Sequence, residues 1–332
     1  MPEDSKPKHW IGFDLGGTKM QCTLFTDEVK QVASRRRRTK GELGVEASLE
    51  RIRSTIEKLL EEAEIEKNQL AGIGIGCPGP VEWETGIVRV AVNLGWKNVP
   101  IGKFLQDKFD CEVSVLNDVD AGVYGEHTAG AGKGSRTTYG LFPGTGIGGG
   151  CVYDGQILRG KSLSCMEVGH TKICGSERLG ATGLTGTLET EASRLAISGE
   201  LAKLAFRGEA PHIFDSIGTE LGAIRSKVIS EAIEKGDKQV EKVVSEACRI
   251  LGYSVSNAVL MFCPDCVVLG GGLVEAMPNL FVKQIAKVAR DHVFDCYKDE
   301  FEVRAATLGD DAATVGAASW VKKTVEKTTS NN

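Results

Sequence analysis

Twice along this chain an apolar run ends in a cluster of glycines and a second apolar run starts at once. Trp10 to Asp14 closes with LGGTK and resumes at Met20 to Phe25. Tyr139 to Phe142 enters GTGIGGG and resumes with CVYD, which turns at Asp154-Gly155. Extended runs this close in sequence must pair as hairpins. A turn without Cβ atoms lets backbone N–H groups come close to an anionic oxygen. By itself GTGIGGG fits either a close ligand or a very tight turn. Its pairing with LGGTK shifts the reading, because two such hairpins, each with a threonine hydroxyl (Thr18, Thr145), can grip a polyphosphate from opposite sides. A third cluster, Gly270 to Gly272, ends the run CVVLGGG ahead of a helical stretch, where an adenine or ribose could rest.

Around these turns strand and helix patterns alternate. Lys30 to Thr39 is a further extended run, and Glu46 to Ala63 has helical spacing at Leu49, Ile52, Ile56, Leu59 and Leu60. Leu70 to Cys77 and Val113 to Leu116 read as short buried strands, ending in PGP and in Asn117-Asp118. The second half adds long helical stretches at Leu188 to Phe206 and Val240 to Met261, and a helix starting near Pro278. VRAATLG reads as a strand and Ala312 to Val325 as a closing helix. The alternation predicts an α/β fold. The length of 332 residues suits two lobes around a cleft. Residues 1–120 would form a small α/β lobe, joined by the closing helix at about 312–332, and 121–311 a large α/β lobe.

Three further pattern matches fail their context. Gly155 to Ser162, GQILRGKS, has P-loop spacing, but a P-loop joins a strand to a helix and no helical stripe follows here. Gly74 to Gly79, GIGCPG, fits G-x-G-x-x-G, yet Pro78 and Pro80 obstruct such a loop. Gly144 to Gly149 fits the same pattern but lies between two strands rather than before a helix.

Composition removes whole classes of function. Net charge is −5, and the one basic run, Arg35 to Arg38, lacks the aromatic partners of a nucleic-acid stripe and reads as a solvated strand face. No segment approaches the roughly 18 apolar residues of a membrane span. The start, MPEDSKPKHW, lacks the apolar core of a signal peptide, so the expected location is cytoplasmic. Ten cysteines at irregular spacing, several inside apolar runs (Cys22, Cys77, Cys151, Cys266), suit reduced thiols. The lone C-x-x-C, Cys263 and Cys266, reads as packing rather than a redox or metal pair.

Taken in order, these motifs resemble the ROK family of sugar kinases, closest to its bacterial-type glucokinases, over nearly the whole chain. DLGGTK resembles the family's first phosphate loop, and PGPV (Pro78 to Val81) and NLGW (Asn93 to Trp96) its sugar-side loops. LNDVDA (Leu116 to Ala121) is similar to its catalytic segment and GTGIGGG to its second phosphate loop. EVGH (Glu167 to His170) and LETEAS (Leu188 to Ser193) look like its sugar clamp, VVLGGG like its adenosine motif, and GDDAATVGAA like its last segment. The resemblance implies an actin-like, ribonuclease-H-like two-lobed ATPase fold. It implies transfer of the γ-phosphate of ATP to the 6-hydroxyl of a hexose, glucose first. The alternatives are fructose, mannose, allose or N-acetylmannosamine as acceptor, or polyphosphate as donor. Small molecules would be the partners, with no nucleic acid or membrane, and a homodimer is what the resemblance suggests. Some relatives are sugar-responsive repressors with an added DNA-binding module; the nine residues ahead of Trp10 leave no room for a helix-turn-helix.

Phosphoryl transfer asks a protein mainly for positioning and charge stabilisation. A sugar hydroxyl is a weak nucleophile at neutral pH, so a carboxylate in hydrogen-bond reach helps by accepting its proton. Asp118 follows a strand directly, where α/β sheets present ligand groups. From spacing alone it is a helix N-cap as readily as a base; the resemblance makes it the base. The resemblance also places Gly79, Asn93, Asn117, Glu167, His170 and Glu189 with Asp118 around the sugar. ATP and its phosphates would meet Asp14, Gly16, Gly17, Thr18, Lys19, Gly144, Thr145, Gly146, Gly148, Gly270, Gly271 and Gly272. Asp14 would organise Mg²⁺-bound water, with Mg²⁺ held mainly through ATP. Many family members bind a structural zinc through a histidine at the position of His170 and three cysteines of a C-x-C-G-x-x-G-C segment. Here those positions hold Gly180, Thr182 and Thr187, so no zinc is expected, since such a site wants four N/S ligands.

Overall fold

The computed structural model describes residues 8–330. The polar start, on which the signal-peptide reading rests, lies outside them as far as Pro7. The chain divides into two compact units: Met1–Gly134 with Cys151–Cys165 and Asp310–Asn332, and Ser135–Gly150 with Met166–Gly309.

In the first unit β1 (His9–Leu15) turns through LGGTK into β2 (Lys19–Phe25), and β2 into β3 (Gln31–Arg38). Helix α1 (Val45–Glu62) buries Ile52, Ile56, Leu59 and Leu60, the stripe expected from their spacing. Strand β4 (Leu70–Cys77) follows. Then come three short strands that the sequence reading missed, β5 (Val81–Glu82), β6 (Ile87–Ala91) and β7 (Trp96–Val99), which pair as a small antiparallel sheet. Helix α2 (Ile101–Phe109), β8 (Glu112–Asn117) and α3 (Asp118–Ala129) complete the run. The main sheet has the order β3-β2-β1-β4-β8. Its strands β1, β4 and β8 are parallel, with Asp14 level with Gly76 and Cys77 level with Asn117.

Strand β3 corrects the reading of the basic run in part. Alternate residues of a strand face opposite sides. Arg37 donates to Ser54 Oγ (3.0 Å) and Thr55 Oγ1 (3.1 Å) of α1, and Arg35 pairs with Glu62. Arg36 faces the other way and pairs with Asp310 at 3.2 Å. The run is an edge strand with Arg36 and Arg38 exposed, as a solvated face would be, and Arg35 and Arg37 engaged by α1.

The second unit starts with β9 (Thr137–Pro143), which passes through the second glycine turn into β10 (Ile147–Tyr153). The last residues of β10 and β11 (Gln156–Ile157) belong to the first unit, joined at a turn in which Asp154 (φ 47°) and Gly155 (φ 67°) are both left-handed. GQILRGKS is therefore turn and strand. Helices α4 (Leu188–Ala192) and α5 (Arg194–Phe206) replace the single helix expected there. The chain breaks at Ser193, which is extended (ψ 163°) and caps α5 through its hydroxyl. After α6 (Pro211–Ile217) and α7 (Ser226–Glu234), α8 (Lys238–Phe262) ends on Cys263 in the left-handed conformation. Cys263 is exposed and Cys266 buried, so only the second of the pair packs. Strand β12 (Cys266–Leu269) lies between β9 and β13 (Glu302–Ala305), parallel to both. Between β12 and β13 a short helix not foreseen, α9 (Gly272–Ala276), precedes α10 (Pro278–Asp291).

The closing helix, α11 (Ala312–Ser330), returns to the first unit and lies against β1, β4 and α3. Glycines make this contact possible. A Cβ on Gly12 would stand 1.9 Å from the Thr314 carbonyl oxygen, one on Gly74 1.9 Å from that of Ala317, and one on Gly316 1.8 Å from that of Ala121. Gly74 and Gly76 of GIGCPG thus serve helix-on-sheet packing. Among the described residues no helix is long and apolar enough to cross a membrane.

Replacing Gly74 by Val should lower unfolding free energy by about 3 kcal/mol or more in denaturant titrations, because backbone atoms must move apart. Gly199→Ala, in the interior of α5 with open space around it, should instead raise it by about 0.5–1 kcal/mol.

Candidate active site

The carboxyl edge of a parallel sheet is where such folds present ligand groups. In the first unit that edge carries Asp14 on β1, Cys77 at the end of β4, and Asn117 with Asp118 after β8. Burial holds the Cys77 thiol far above its usual pKa, with the charges of Asp118 and then Asp14 adding to the rise. The two aspartates therefore stand close on either side of one buried thiol. Asn117, not Asp118, is the N-cap of α3: its Oδ1 accepts from the amides of Val119 (2.9 Å) and Asp120 (3.1 Å). The N-cap is therefore Asn117, although Asp118 Oδ1 also accepts the Val119 amide (3.0 Å). Asn117 Nδ2 donates to the Gly79 carbonyl (3.2 Å), fixing the PGP loop to the same edge. Gly79 has φ 83°, and a Cβ there would collide with the Val90 carbonyl.

The LGGTK turn is held from three sides. Thr39 Oγ1 donates to the Gly16 carbonyl (2.6 Å), and the Thr39 amide to that of Thr18 (2.9 Å). Asn93 lies against Gly17, its Nδ2 2.9 Å from where a Cβ would be. Lys19 reaches Asp310 (2.9 Å), which also pairs with Arg36, while Gln21 Nε2 donates to Asp311 (2.6 Å). Asp310, Asp311 and Arg36 were not among the residues picked from sequence. GDDAATVGAA offered the only signal for the two aspartates, and nothing in the sequence tied Arg36 to the turn. Asp14 is half-buried below this ion cluster. Its pKa is pushed up to about 6, chiefly by burial; Lys19 opposes the rise, Asp310 adds to it, and Arg36 opposes it. Such an under-neutralised carboxylate fits a cation carried in on a phosphate chain.

In the second unit the GTGIGGG turn is tight, with the Gly144 amide donating to the Gly146 carbonyl (2.8 Å). Gly148 follows in β10. Glu189 at the start of α4 accepts the Ile147 amide (3.0 Å) and lies on the Cβ side of Gly146. Arg194 at the start of α5 donates its amide to the Gly144 carbonyl (2.9 Å) and its guanidinium to Thr145 Oγ1 (2.7 Å). The EVGH turn docks on the same strand, where a Cβ on Gly169 would stand 2.0 Å from the Ile147 carbonyl. Glu167 is near enough to His170 and Glu189 to feel the charge of each. Loss of solvent around the Glu167 carboxyl raises its pKa although the residue is exposed as a whole; His170 opposes the rise and Glu189 adds to it. Gly271 abuts the Pro143 carbonyl, and Gly272 faces Ser226 of α7. Glu167, His170 and Glu189 thus share a support with Gly144 to Gly148, and Gly270 to Gly272 adjoin it.

The sequence profile of the ROK family matches residues 10–324. The chain belongs to the ROK family. A glucokinase of Thermotoga maritima is 33% identical over 316 residues, covering 95% of this chain and 98% of the relative. A xylose repressor of Caldicellulosiruptor bescii is 31% identical over 267 residues, covering 80% of this chain and 66% of the repressor. The crystal structure of a ROK glucokinase from Streptomyces griseus with glucose and AMPPNP superposes with a TM-score of 0.82 at 26% identity, covering 95% of this chain and 99% of that one. The fold is the actin-like ATPase fold of ROK glucokinases.

Against the ROK zinc pattern the loop after His170 offers no matching donors. Among the described residues no three His, Cys, Asp or Glu side chains gather as metal ligands. Thr187 caps α4, and the chain cross-links itself through Ile173 N to Gly186 O (3.0 Å), Gly180 N to Leu184 O (2.8 Å) and Gly186 N to Arg178 O (3.2 Å). The Arg178 side chain pairs with Glu191 (3.3 Å) and Glu200 (3.0 Å).

The raised pKa of Asp14 has a signed consequence. The folded state binds this proton more tightly than the unfolded chain, so stability falls as pH rises from about 4 through about 6. Asp14→Asn should melt higher than the parent at pH 8, without nucleotide or metal, and the gap should close by pH 4. Thermal melts at the two pH values check this.

Proposed function

We propose that this protein is an ATP-dependent hexokinase, with glucose as its first acceptor and Asp118 as the base. The observation that carries the reading is the placement of Asp118. It stands at the carboxyl edge of the parallel strands, across Cys77 from Asp14, with Asn117 as the N-cap of α3. In the reaction the 6-hydroxyl oxygen attacks the γ-phosphorus, and its proton passes to the Asp118 carboxylate. The bond from the γ-phosphorus to the bridging oxygen breaks, and ADP leaves with that electron pair.

Charge stabilisation would come from Lys19, from backbone amides of LGGTK and GTGIGGG, and from Mg²⁺ arriving on the donor, near Asp14. Glu167, His170, Glu189, Asn93, Asn117 and Gly79 would surround the sugar, carboxylates accepting from its hydroxyl pairs. The glucose- and AMPPNP-bound relative and the T. maritima glucokinase support this reading. No zinc is needed in it, since the loop after His170 is cross-linked by its own amides and by Arg178. A sugar-sensing body without turnover is the competing reading, favoured by the C. bescii repressor.

A coupled assay across glucose, fructose, mannose, allose and N-acetylmannosamine, each with Mg-ATP, tests the proposal; phosphorylation of none would overturn it. Asp118→Asn should lower kcat for glucose by at least about 100-fold. Glucose and ATP binding by calorimetry should stay within a few-fold of the parent. Unchanged turnover would remove Asp118 from the chemistry.

A further inference from the structure

In the second unit Arg194 stands beside the GTGIGGG turn, and Arg225 is near enough for its charge to act on Arg194. Arg194 is half-buried at the first position of α5, and Arg225 is exposed just ahead of α7. The Arg194 guanidinium donates to Thr145 Oγ1 (2.7 Å) and reaches the Ile224 carbonyl (3.5 Å). That carbonyl belongs to the residue before Arg225, whose own Nε reaches the Gly222 carbonyl (3.4 Å). Among the described residues neither guanidinium forms an ion pair, and each donates to neutral oxygens. Burial, and after it the charge of Arg225, lowers the pKa of Arg194. Two like charges held close, one of them partly out of water, cost stability unless an anion joins them.

The surroundings say which anion fits. Arg194 grips the turn twice, through its amide on the Gly144 carbonyl and its side chain on Thr145. Gly271 abuts Pro143 and Gly144, and Gly272 faces Ser226, the residue after Arg225. Two glycine-lined backbone segments and the Arg194 guanidinium therefore meet at one place, with Arg225 next in the chain to Ser226 at its edge. Glycines admit close approach of backbone N–H groups to phosphate oxygens, and the arginine fork matches two such oxygens at once.

We propose that Arg194 and Arg225 are a cationic clamp for the phosphate chain of the donor, with Arg194 also positioning Thr145. This rests on the kinase reading and names two donor-binding residues for it. A multivalent phosphate turns the repulsion between the two cations into attraction, so the clamp favours tri- and polyphosphates over monophosphates. Among the described residues neither arginine hydrogen-bonds or pairs with Glu167, His170 or Glu189.

The test uses the full chain with Arg194→Gln, Arg225→Gln and Arg194→Lys, each checked for a thermal midpoint no lower than the parent's. Calorimetry with ATP, AMP and inorganic tripolyphosphate should show each Gln variant binding ATP and tripolyphosphate about tenfold more weakly. AMP binding should change less than threefold. KM for ATP should rise in step while KM for glucose stays within twofold, and Arg194→Lys should recover part of the loss. Unchanged ATP and tripolyphosphate binding in both Gln variants overturns the clamp. So does an equal loss for AMP, or a parallel rise in KM for glucose. Should Arg194→Gln fail to fold, the exposed Arg225→Gln decides alone by the same readings. Tripolyphosphate binding is measured without turnover, so the clamp stands or falls separately from the choice of hexose.

Discussion

Helix α11 rests on the first unit's sheet by backbone contact, and the positions of Asp14 and Asp118 depend on that seat. Gly12 on β1 and Gly74 on β4 leave room for the carbonyls of Thr314 and Ala317, while Gly316 leaves room for that of Ala121 on α3. Close-packed interiors transmit small displacements. A side chain at any of these glycines would lift the helix and shift the strand ends, and α3 begins with Asp118. Gly76 has the same function one step nearer the chemistry, with the space of its missing Cβ 3.2 Å from the Asp118 Cα. The sheet edge that carries Asp14 and Asp118 is thus built on glycines packed against backbone.

The second unit shows a related economy. Its glycine turn does not stand alone: Glu189 holds the Ile147 amide, Arg194 holds Gly144 and Thr145, and Gly169 rests on the Ile147 carbonyl. Groups assigned to the sugar and groups assigned to the phosphates therefore share one strand as support. The break at Ser193 is what makes this geometry possible. It starts a second helix at Arg194, so two successive helix beginnings, rather than one helix face, reach the turn.

Much of the architecture was legible in the sequence. The stripe Ile52, Ile56, Leu59, Leu60, the run Leu70 to Cys77 and the turn at Asp154-Gly155 carry their periodicity or turn chemistry locally. The short strands β5 to β7 were not legible, because two- to five-residue strands leave too few alternations to read. The Leu188 to Phe206 stretch stayed apolar and periodic across Ser193, so its break could not be seen. Arg35 to Arg38 looked like a charged surface because composition does not say which partners face alternate strand residues.

The sequence by itself determined the family, the two glycine hairpins, and the residue types that phosphoryl transfer needs. Those are local properties: a turn without Cβ atoms, a carboxylate after a strand, motifs in a fixed order. Only the tertiary structure decided that Asn117 takes the cap and leaves Asp118 beside Asp14 at the sheet edge. Only it brought Asp310 to Lys19 and Arg36, across nearly the whole chain, and set Arg194 against Thr145. The reason is physical. Burial and the charges of neighbours fix what an ionisable group does, and both arise only when distant segments pack together.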